Sequence, residues 1–548
     1  MALIIGIDVG GTHADGVLLD GERILVKNKV PVDQANLSES ILILLKTLVP
    51  ESGQPLSRIH LSTTLCTNSV INNTLDTVGM FIQSGPGMNP DFLDCGEHVA
   101  FLDGAVDHRG HRLKDPDESQ ISEAVERFKK RSIKSIGIVT KFSQRNNCHE
   151  VMVRDRLENR FAHVSLGHRI SGLPNFPRRV YTTWLNAALK SRFVEFREAI
   201  SRGLKDLGID APCSILKADG GTMPFGAASS VPCETVLSGP SASVMGCLAL
   251  EKGKDDAILL DIGGTTTDIA ILAEGVPLLE PYGVTVTGRP TLIRALNTKS
   301  VGLGGDSAVR NSEDGFSIGP DRLGTPMCLG GTTPTPTDAM VVLGTLEAGS
   351  AVKAEEAMKQ LAPDQDAAIT AEQIMAEFVG KIQQAVEMMI EDVFSRPVFT
   401  VAALLGRKRI EPSRIIAVGG PALAMRKNLA DQFGLPCTIP EHFEVANAIG
   451  AARTRPTMQA TLYADTADGT LSIPETGCQE VISRGFTMQD AKEKLREAVA
   501  AMAGETGLGT VLNIDFLEVQ EMNTVRGFST SGKIMSLKAQ VQPGLEQL

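Results

Sequence analysis

No pair of cysteines in this chain has the Cys-x-x-Cys spacing. Its nine cysteines, at 66, 95, 148, 213, 233, 247, 328, 437 and 478, are dispersed and odd in number. That disfavours a disulfide scaffold and a zinc or redox pair, and reduced thiols in a cytosolic protein are the expectation. The nine histidines form no His-x-His and no His-Glu-x-x-His. His108 and His111 stand three apart in a turn region, where surface residues are the simpler reading than a zinc pair. The Gly-x4-Gly-Lys-Ser/Thr loop is absent, and no apolar run approaches the ~20 residues that span a bilayer. The run Ile41–Leu45 ends at Lys46, and the chain opens on a strand-like segment rather than a signal peptide. A soluble cytoplasmic protein without a membrane partner is therefore expected. The net charge of −12 disfavours nucleic acid as a partner.

At 548 residues the chain is too long for one core, and two or three domains are expected. What is present is a duplicated motif. Leu3-Ile4-Ile5-Gly6-Ile7-Asp8-Val9-Gly10-Gly11-Thr12-His13-Ala14-Asp15 and Ala257-Ile258-Leu259-Leu260-Asp261-Ile262-Gly263-Gly264-Thr265-Thr266-Thr267-Asp268 share one order of types, and each continues into a second apolar run. Each reads as two buried strands joined by a tight Gly-Gly turn. Such a hairpin suits a phosphate, because glycines admit the anion, turn N–H groups form a positive nest and a carboxylate at the strand end can hold Mg2+. The glycines lead into a strand and not a helix, which argues against a Rossmann dinucleotide turn. Two like lobes are implied.

Between and beyond the hairpins the pattern is mixed α/β. Helices are expected at 37–48, 119–131 and 185–204, the last after the Pro-rich break Pro174-Asn175-Phe176-Pro177, and at 374–393. Strands are expected at 78–83 and 135–141, and the segment from Ser214 to Met223 reads as a strand running into the Gly220-Gly221 turn. Ser62-Thr63-Thr64-Leu65-Cys66-Thr67-Asn68 reads as a capped helix start or as a polar loop facing a substrate. Val301-Gly302-Leu303-Gly304-Gly305-Asp306-Ser307 is a Gly-rich loop, and Val418-Gly419-Gly420-Pro421 ends a strand in a turn suited to packing against a flat ring. Past Met458, a helix through Ala491, Leu495 and Val499 precedes a strand at Val511–Val519.

The duplicated Asp hairpin resembles the actin, Hsp70 and sugar-kinase superfamily, in which two lobes close over ATP. The further motifs Ala218-Asp219-Gly220-Gly221, Leu237-Ser238-Gly239-Pro240-Ser241-Ala242, Pro336-Thr337-Asp338-Ala339 and Ala446-Asn447-Ala448-Ile449-Gly450-Ala451-Ala452 join the hairpins and the Ser62–Asn68 loop in one order. Together these motifs resemble the hydantoinase/oxoprolinase A family over roughly residues 3 to 457. The resemblance implies a two-lobed α/β fold, with a first lobe at 1–180, a second at 181–457 and a small region at 458–548. It also implies ATP with Mg2+ as cofactors and the opening of a small cyclic amide such as hydantoin, N-methylhydantoin or 5-oxoproline. A second, hydantoinase B-like subunit and an oligomer are implied as partners. Relatives in the family serve ketone carboxylases, and a non-catalytic Hsp70-like regulator is a third reading.

Carried onto this chain, the resemblance assigns Asp8 and Asp261 to the Mg2+ and its water. It gives the phosphates to Gly10, Gly11, Thr12, Gly263, Gly264, Thr265 and Thr266, with Gly304 and Gly305 as further nucleotide contacts and Gly419 and Gly420 near the adenosine. Asp15 and Asp268 are either general bases or outward-facing residues that hold the turn. Thr63, Thr64, Asn68 and Asp306 fall on the substrate side. The chain departs from the family at Leu61, where a histidine is usual, at His13-Ala14, and at Asp306, where the loop is mostly glycine.

Overall fold

The computed structural model describes residues 3–33, 36–49, 55–93, 95–312, 315–396, 408–504 and 513–546. Its first large sheet is built around strand Leu3–Val9, buried along its whole length. That strand runs antiparallel to His13–Asp20, with Asp8 opposite Asp15, and parallel to Leu56–Thr63, with Asp8 opposite Ser62. Across the sheet the order is Thr222–Pro224, Cys213–Leu216, Leu56–Thr63, Leu3–Val9, His13–Asp20, Arg23–Pro31. The second large sheet repeats the plan. Ala257–Ile262 is antiparallel to Thr267–Ala273, with Asp261 opposite Asp268, and parallel to Arg414–Val418. The central strands read as unbroken apolar runs because helices cover both faces. The molecule has a two-lobed α/β architecture, with both Asp-Gly-Gly-Thr hairpins at corresponding places.

Two short helices carry the chain between the lobes. Ser238–Leu250 leads from the first sheet into the second, and Ala446–Arg453 returns. They touch backbone to backbone. A Cβ at Gly246 would collide with the Ala446 carbonyl, one at Gly450 with Gly246 N, and one at Gly6 with the Ala448 carbonyl. The small residues of both motifs therefore set how closely the lobes sit, and any side chain there would wedge them apart.

Beside three two-stranded ribbons, the described residues form two further sheets of four and five strands. Residues 78–170 add a four-stranded parallel sheet ordered His163–Leu166, Ser135–Thr140, Val78–Gln83, Val99–Phe101. From Gln459 onward a five-stranded antiparallel sheet packs its apolar face on helix Met488–Gly504, burying Leu462, Leu495, Val499 and Leu537. The C-terminal sheet is clamped to the 78–170 region. Arg109 pairs with Asp465 at 2.6 Å, and the Tyr463 hydroxyl donates to Gly172 O at 2.8 Å. His111 bridges Asp107 and Asp468 at 2.9 Å each, so it serves this ion-pair network.

Three expectations are corrected in detail. The lobe boundary expected at 180/181 falls inside helix Phe176–Asp206, and strand Cys213–Leu216 still belongs to the first sheet. Asn175 caps that helix and Pro177 occupies its first turn, where a missing N–H costs nothing, so the Pro-rich break starts the helix instead of separating lobes. The strand expected at Val511–Val519 runs from Ile514 to Arg526, and Val511 and Leu512 lie outside the described residues. Asp15 and Asp268 do not face outward, as described below. Among the described residues no helix is long and apolar enough to cross a membrane.

Candidate functional site

Asp8 and Asp261 end the central strands of the two sheets, and one side chain reaches both. Asn447, at the start of the returning helix, donates through Nδ2 to Asp8 Oδ2 at 3.4 Å and to Asp261 Oδ2 at 3.2 Å. The Ser243 hydroxyl, on the outgoing helix, donates to Asp261 Oδ2 at 2.5 Å. The crossing helices thus bring the two hairpins' carboxylates into one polar seam between the lobes.

The hairpin turns have the same geometry. Gly10 N donates to His13 O at 3.0 Å, and Gly263 N donates to Thr266 O at 2.9 Å. Gly11, Thr12, Thr265 and Thr266 are exposed at the tips. Added Cβ atoms at Gly11 and Gly420 would meet nothing within 4 Å, so backbone is open to an incoming group there. Gly419, with φ of +93°, is packed against the second hairpin: a Cβ on it would lie 2.7 Å from Asp261 Oδ1. Gly419 therefore lies against the carboxylate end of that hairpin.

The 304–306 loop underpins the second hairpin. Gly305 N donates to Gly263 O at 3.0 Å and Asp306 N to Gly264 O at 2.7 Å. A Cβ on Gly304 would come within 2.5 Å of Thr265 N. Thr337 in turn donates to Gly305 O at 2.8 Å, and Arg322 holds Asp306 at 2.8 Å. Gly304 thus spends its small size on the hairpin's own backbone, while a Cβ on Gly305 would meet the Pro421 ring and the Thr337 hydroxyl at 3.0 Å. Asp306 belongs to the second hairpin's support and is not grouped with Thr63, Thr64 and Asn68.

Those three residues border the first hairpin. Thr64 is the N-cap residue of helix Leu65–Ile71, but its hydroxyl donates to Val9 O at 3.3 Å and accepts from Asn68 Nδ2 at 3.2 Å. Thr63 is fully buried, and its carbonyl accepts the Ser238 hydroxyl at 2.9 Å. Thr67 accepts from Leu237 N at 2.9 Å. Leu237 has φ of +67°, an unusual conformation for a leucine, at the point where the outgoing helix begins. The loop is stitched to both the hairpin and the crossing helix.

Electrostatically the seam is crowded with acid. Burial, followed by the nearby Asp15 and Asp261 charges, raises Asp8 to about 6. Burial and the Asp261 charge raise Asp268 to about 7. Asp15 is also raised, chiefly by burial, and pairs with Lys29 at 3.0 Å. Asp8 and Asp268 ionise less readily folded than unfolded, so their favourable contribution is complete below the ordinary value of 3.8. It is lost as pH rises through about 6 for Asp8 and about 7 for Asp268. Asp268→Asn is therefore expected to gain thermal stability relative to the parent as pH goes from about 5 to about 8 without nucleotide. A melting-temperature difference independent of pH overturns that expectation.

Some of these carboxylate oxygens are left without partners. The Oδ1 atoms of Asp8 and Asp268 are buried with no hydrogen-bond partner. Among the described residues no three His, Cys, Asp or Glu side chains converge to hold a metal by themselves. Mg2+ is typically held by one or two carboxylates with water and phosphate oxygens completing its shell, and Asp8 and Asp261 offer that donor set. Asn447 stands in the sequence as one residue of the Ala446–Ala452 motif and Ser243 as the residue just past Ala242; their partners are visible only in three dimensions.

The family model described as Hydantoinase/oxoprolinase matches residues 179–459, and the one described as Hydantoinase/oxoprolinase N-terminal region matches residues 4–161. The chain is 26% identical over 390 residues to the caprolactamase subunit alpha of Pseudomonas jessenii, covering 63% of this chain and 55% of that one. It is 26% identical over 400 residues to the acetophenone carboxylase gamma subunit of Aromatoleum aromaticum, covering 62% and 53%. The chain spans about half the length of the curated relatives it matches. Among solved structures, the ATP-dependent caprolactamase of Pseudomonas jessenii superposes with a TM-score of 0.73 at 19% identity, covering 100% of this chain and 88% of that one. Nucleotide-free acetone carboxylase superposes with 0.71 at 16% identity and the same coverage. With its paired hairpins, its crossing helices and matches to both family models, this chain belongs to the hydantoinase/oxoprolinase family.

Proposed function

We propose that the chain uses ATP to open a cyclic amide of the hydantoin, N-methylhydantoin, 5-oxoproline or lactam type. The observation that carries this reading is the single Asn447 amide spanning the carboxylates of both hairpins, with open glycine backbone beside them. An unstrained amide carbonyl is a poor electrophile, and bound Mg2+-ATP would supply the phosphoryl group that activates its oxygen. The chain's part is alignment and charge compensation. Asp8 and Asp261 hold the cation and its water, while Gly10, Gly11, Thr12, Gly263, Gly264, Thr265 and Thr266 take the phosphates. Asn447 and Ser243 orient the two carboxylates. Thr64 and Asn68 border the substrate side. Burial and the Asp261 charge raise Asp268 to about 7, which suits an acid–base role, whereas Asp15 is engaged by Lys29.

The test is ADP release by the purified chain with Mg2+-ATP, with and without 5-oxoproline, hydantoin, N-methylhydantoin and caprolactam. Stimulation of about tenfold or more by one of them is expected. ATP binding without stimulation by any of the four sinks the reading for the isolated chain. A second reading is then favoured by the likeness to carboxylase subunits, namely the ATP-binding subunit of a multi-subunit enzyme. In that case turnover emerges only when a hydantoinase B-like partner is added.

A further inference from the structure

The two hairpins are alike, but the rows of side chains that run through them are not. Directly opposite residues on neighbouring strands share a face of the sheet. In the first sheet Ser62 stands opposite Asp8, Asp8 opposite Asp15 and Asp15 opposite Lys29, so one row of polar side chains crosses four strands. In the second sheet the matching row is Val418, Asp261, Asp268 and Ser300. The row therefore ends in a cation in the first lobe and in a neutral hydroxyl in the second.

Lys29 belongs to strand Arg23–Pro31, the outer strand of the first sheet, and its ammonium lies 3.0 Å from Asp15 Oδ1. Its side chain is 50% exposed and that of Asp15 17%. Just beyond it, Val32 N donates to Thr12 O at 2.9 Å, which ties this end of the strand to the tip of the first hairpin. Among the described residues no other Lys or Arg pairs with Asp8, Asp15, Asp261 or Asp268. A half-exposed ion pair of this kind adds little stability. A lysine on an edge strand also discourages pairing with another chain, but that role needs an ammonium out in the solvent, and this one is drawn inward beside the acidic seam.

A triphosphate that carries Mg2+ stays negative, and the seam it enters is itself acidic, so a positive group beside the hairpin acts more strongly there than in open solvent. We propose that Lys29 contacts the nucleotide: its ammonium takes a terminal phosphoryl oxygen next to the first hairpin, and Asp15 aims it there. Lysine serves phosphate as a mobile point charge with three donors, so the ammonium keeps Asp15 while it takes the phosphate. The phosphoryl end of the nucleotide is thereby placed against the first lobe, on the side that also carries Thr64 and Asn68. This role rests on the reading of the hairpins as a nucleotide site and gives the two lobes unequal parts in it.

The test is calorimetric titration of the full chain, in the presence of Mg2+, with ADP and with the imido analogue of ATP, whose terminal phosphoryl group is not transferred. Lys29→Met and Lys29→Gln are each expected to weaken the ATP analogue at least about tenfold and ADP by less than about threefold, while Lys29→Arg stays within about threefold of the parent for both. A contact with the terminal group moves the ratio of the two affinities, whereas damage to the strand lowers both together with the melting temperature. Where the parent binds both nucleotides, three results overturn the role of Lys29 and leave the nucleotide site standing: unchanged analogue affinity in both neutral variants, equal loss of analogue and ADP, or a Lys29→Arg chain as weak as the neutral ones. A parent chain that binds neither nucleotide fails the nucleotide reading itself, and the role of Lys29 falls with it.

Discussion

Asp261→Asn is expected to lower ATP turnover by about 10²–10³ while leaving the fold intact. The substitution keeps shape. Asp261 Oδ2 accepts from Asn447 Nδ2 and from the Ser243 hydroxyl, and an asparagine carbonyl oxygen placed there accepts from both. What is lost is the negative charge beside the second hairpin, and with it half of the carboxylate pair proposed to hold the Mg2+. Steady-state ADP release read beside a melting curve separates the two effects. A variant that melts within a few degrees of the parent yet retains turnover within tenfold would remove Asp261 from the proposed machinery. Asp8→Asn is the matching test on the first lobe, where burial already brings the carboxyl to about 6. A positive ligand favours the ionised form of Asp8, so tighter Mg2+-nucleotide binding from about pH 5 to about pH 7 is part of the same expectation.

Gly450→Val is expected to destabilise the whole molecule by about 3 kcal/mol or more. A Cβ there would collide with Gly246 N and approach Ala242 O within 2.5 Å. All of these are backbone atoms of the facing helix, so no side chain can swing aside to relieve the overlap. The two crossing helices must separate, and the Asn447 contact with Asp8 and Asp261 loosens with them. Gly380→Ala is the control. Gly380 lies within helix Ala367–Ser395, and a Cβ on it would meet nothing within 4 Å. Alanine is expected to be neutral or to stabilise by up to about 1 kcal/mol through helix propensity. Denaturant midpoints measured on both variants decide the matter. A Gly450→Val chain as stable as the parent would show that the helices do not rely on that close approach.

Much of the fold was legible because its signals are local. The hairpins combine an apolar strand, a Gly-Gly turn and a second apolar strand within about sixteen residues, and a turn that tight leaves few conformations. Helix Leu37–Leu48 was readable from Ile41, Leu44, Leu45 and Leu48 on one face, and its observed ends are the expected ones. The long helix was visible from Leu185 to Leu204, yet its start and the lobe boundary were misplaced. A Pro-rich segment is punctuation in either role, and only the pairing of Cys213–Leu216 with Leu56–Thr63 showed which sheet came next.

Local pattern by itself determined the duplicated strand–turn–strand units, the covered apolar helices and the acidic strand ends at Asp8 and Asp261, because these follow from spacing and side-chain chemistry within a few residues. Tertiary structure decided what each small or polar residue is for. Gly304 and Gly420 look alike in the sequence, but the first is closed against Thr265 backbone and the second opens onto free space. Asn447 is one amide in a run of alanines until folding places it 439 residues from Asp8 and 186 from Asp261 in sequence, and within reach of both. Such contacts join segments whose separation is set by the packing of two lobes around two helices, and no local periodicity encodes that distance.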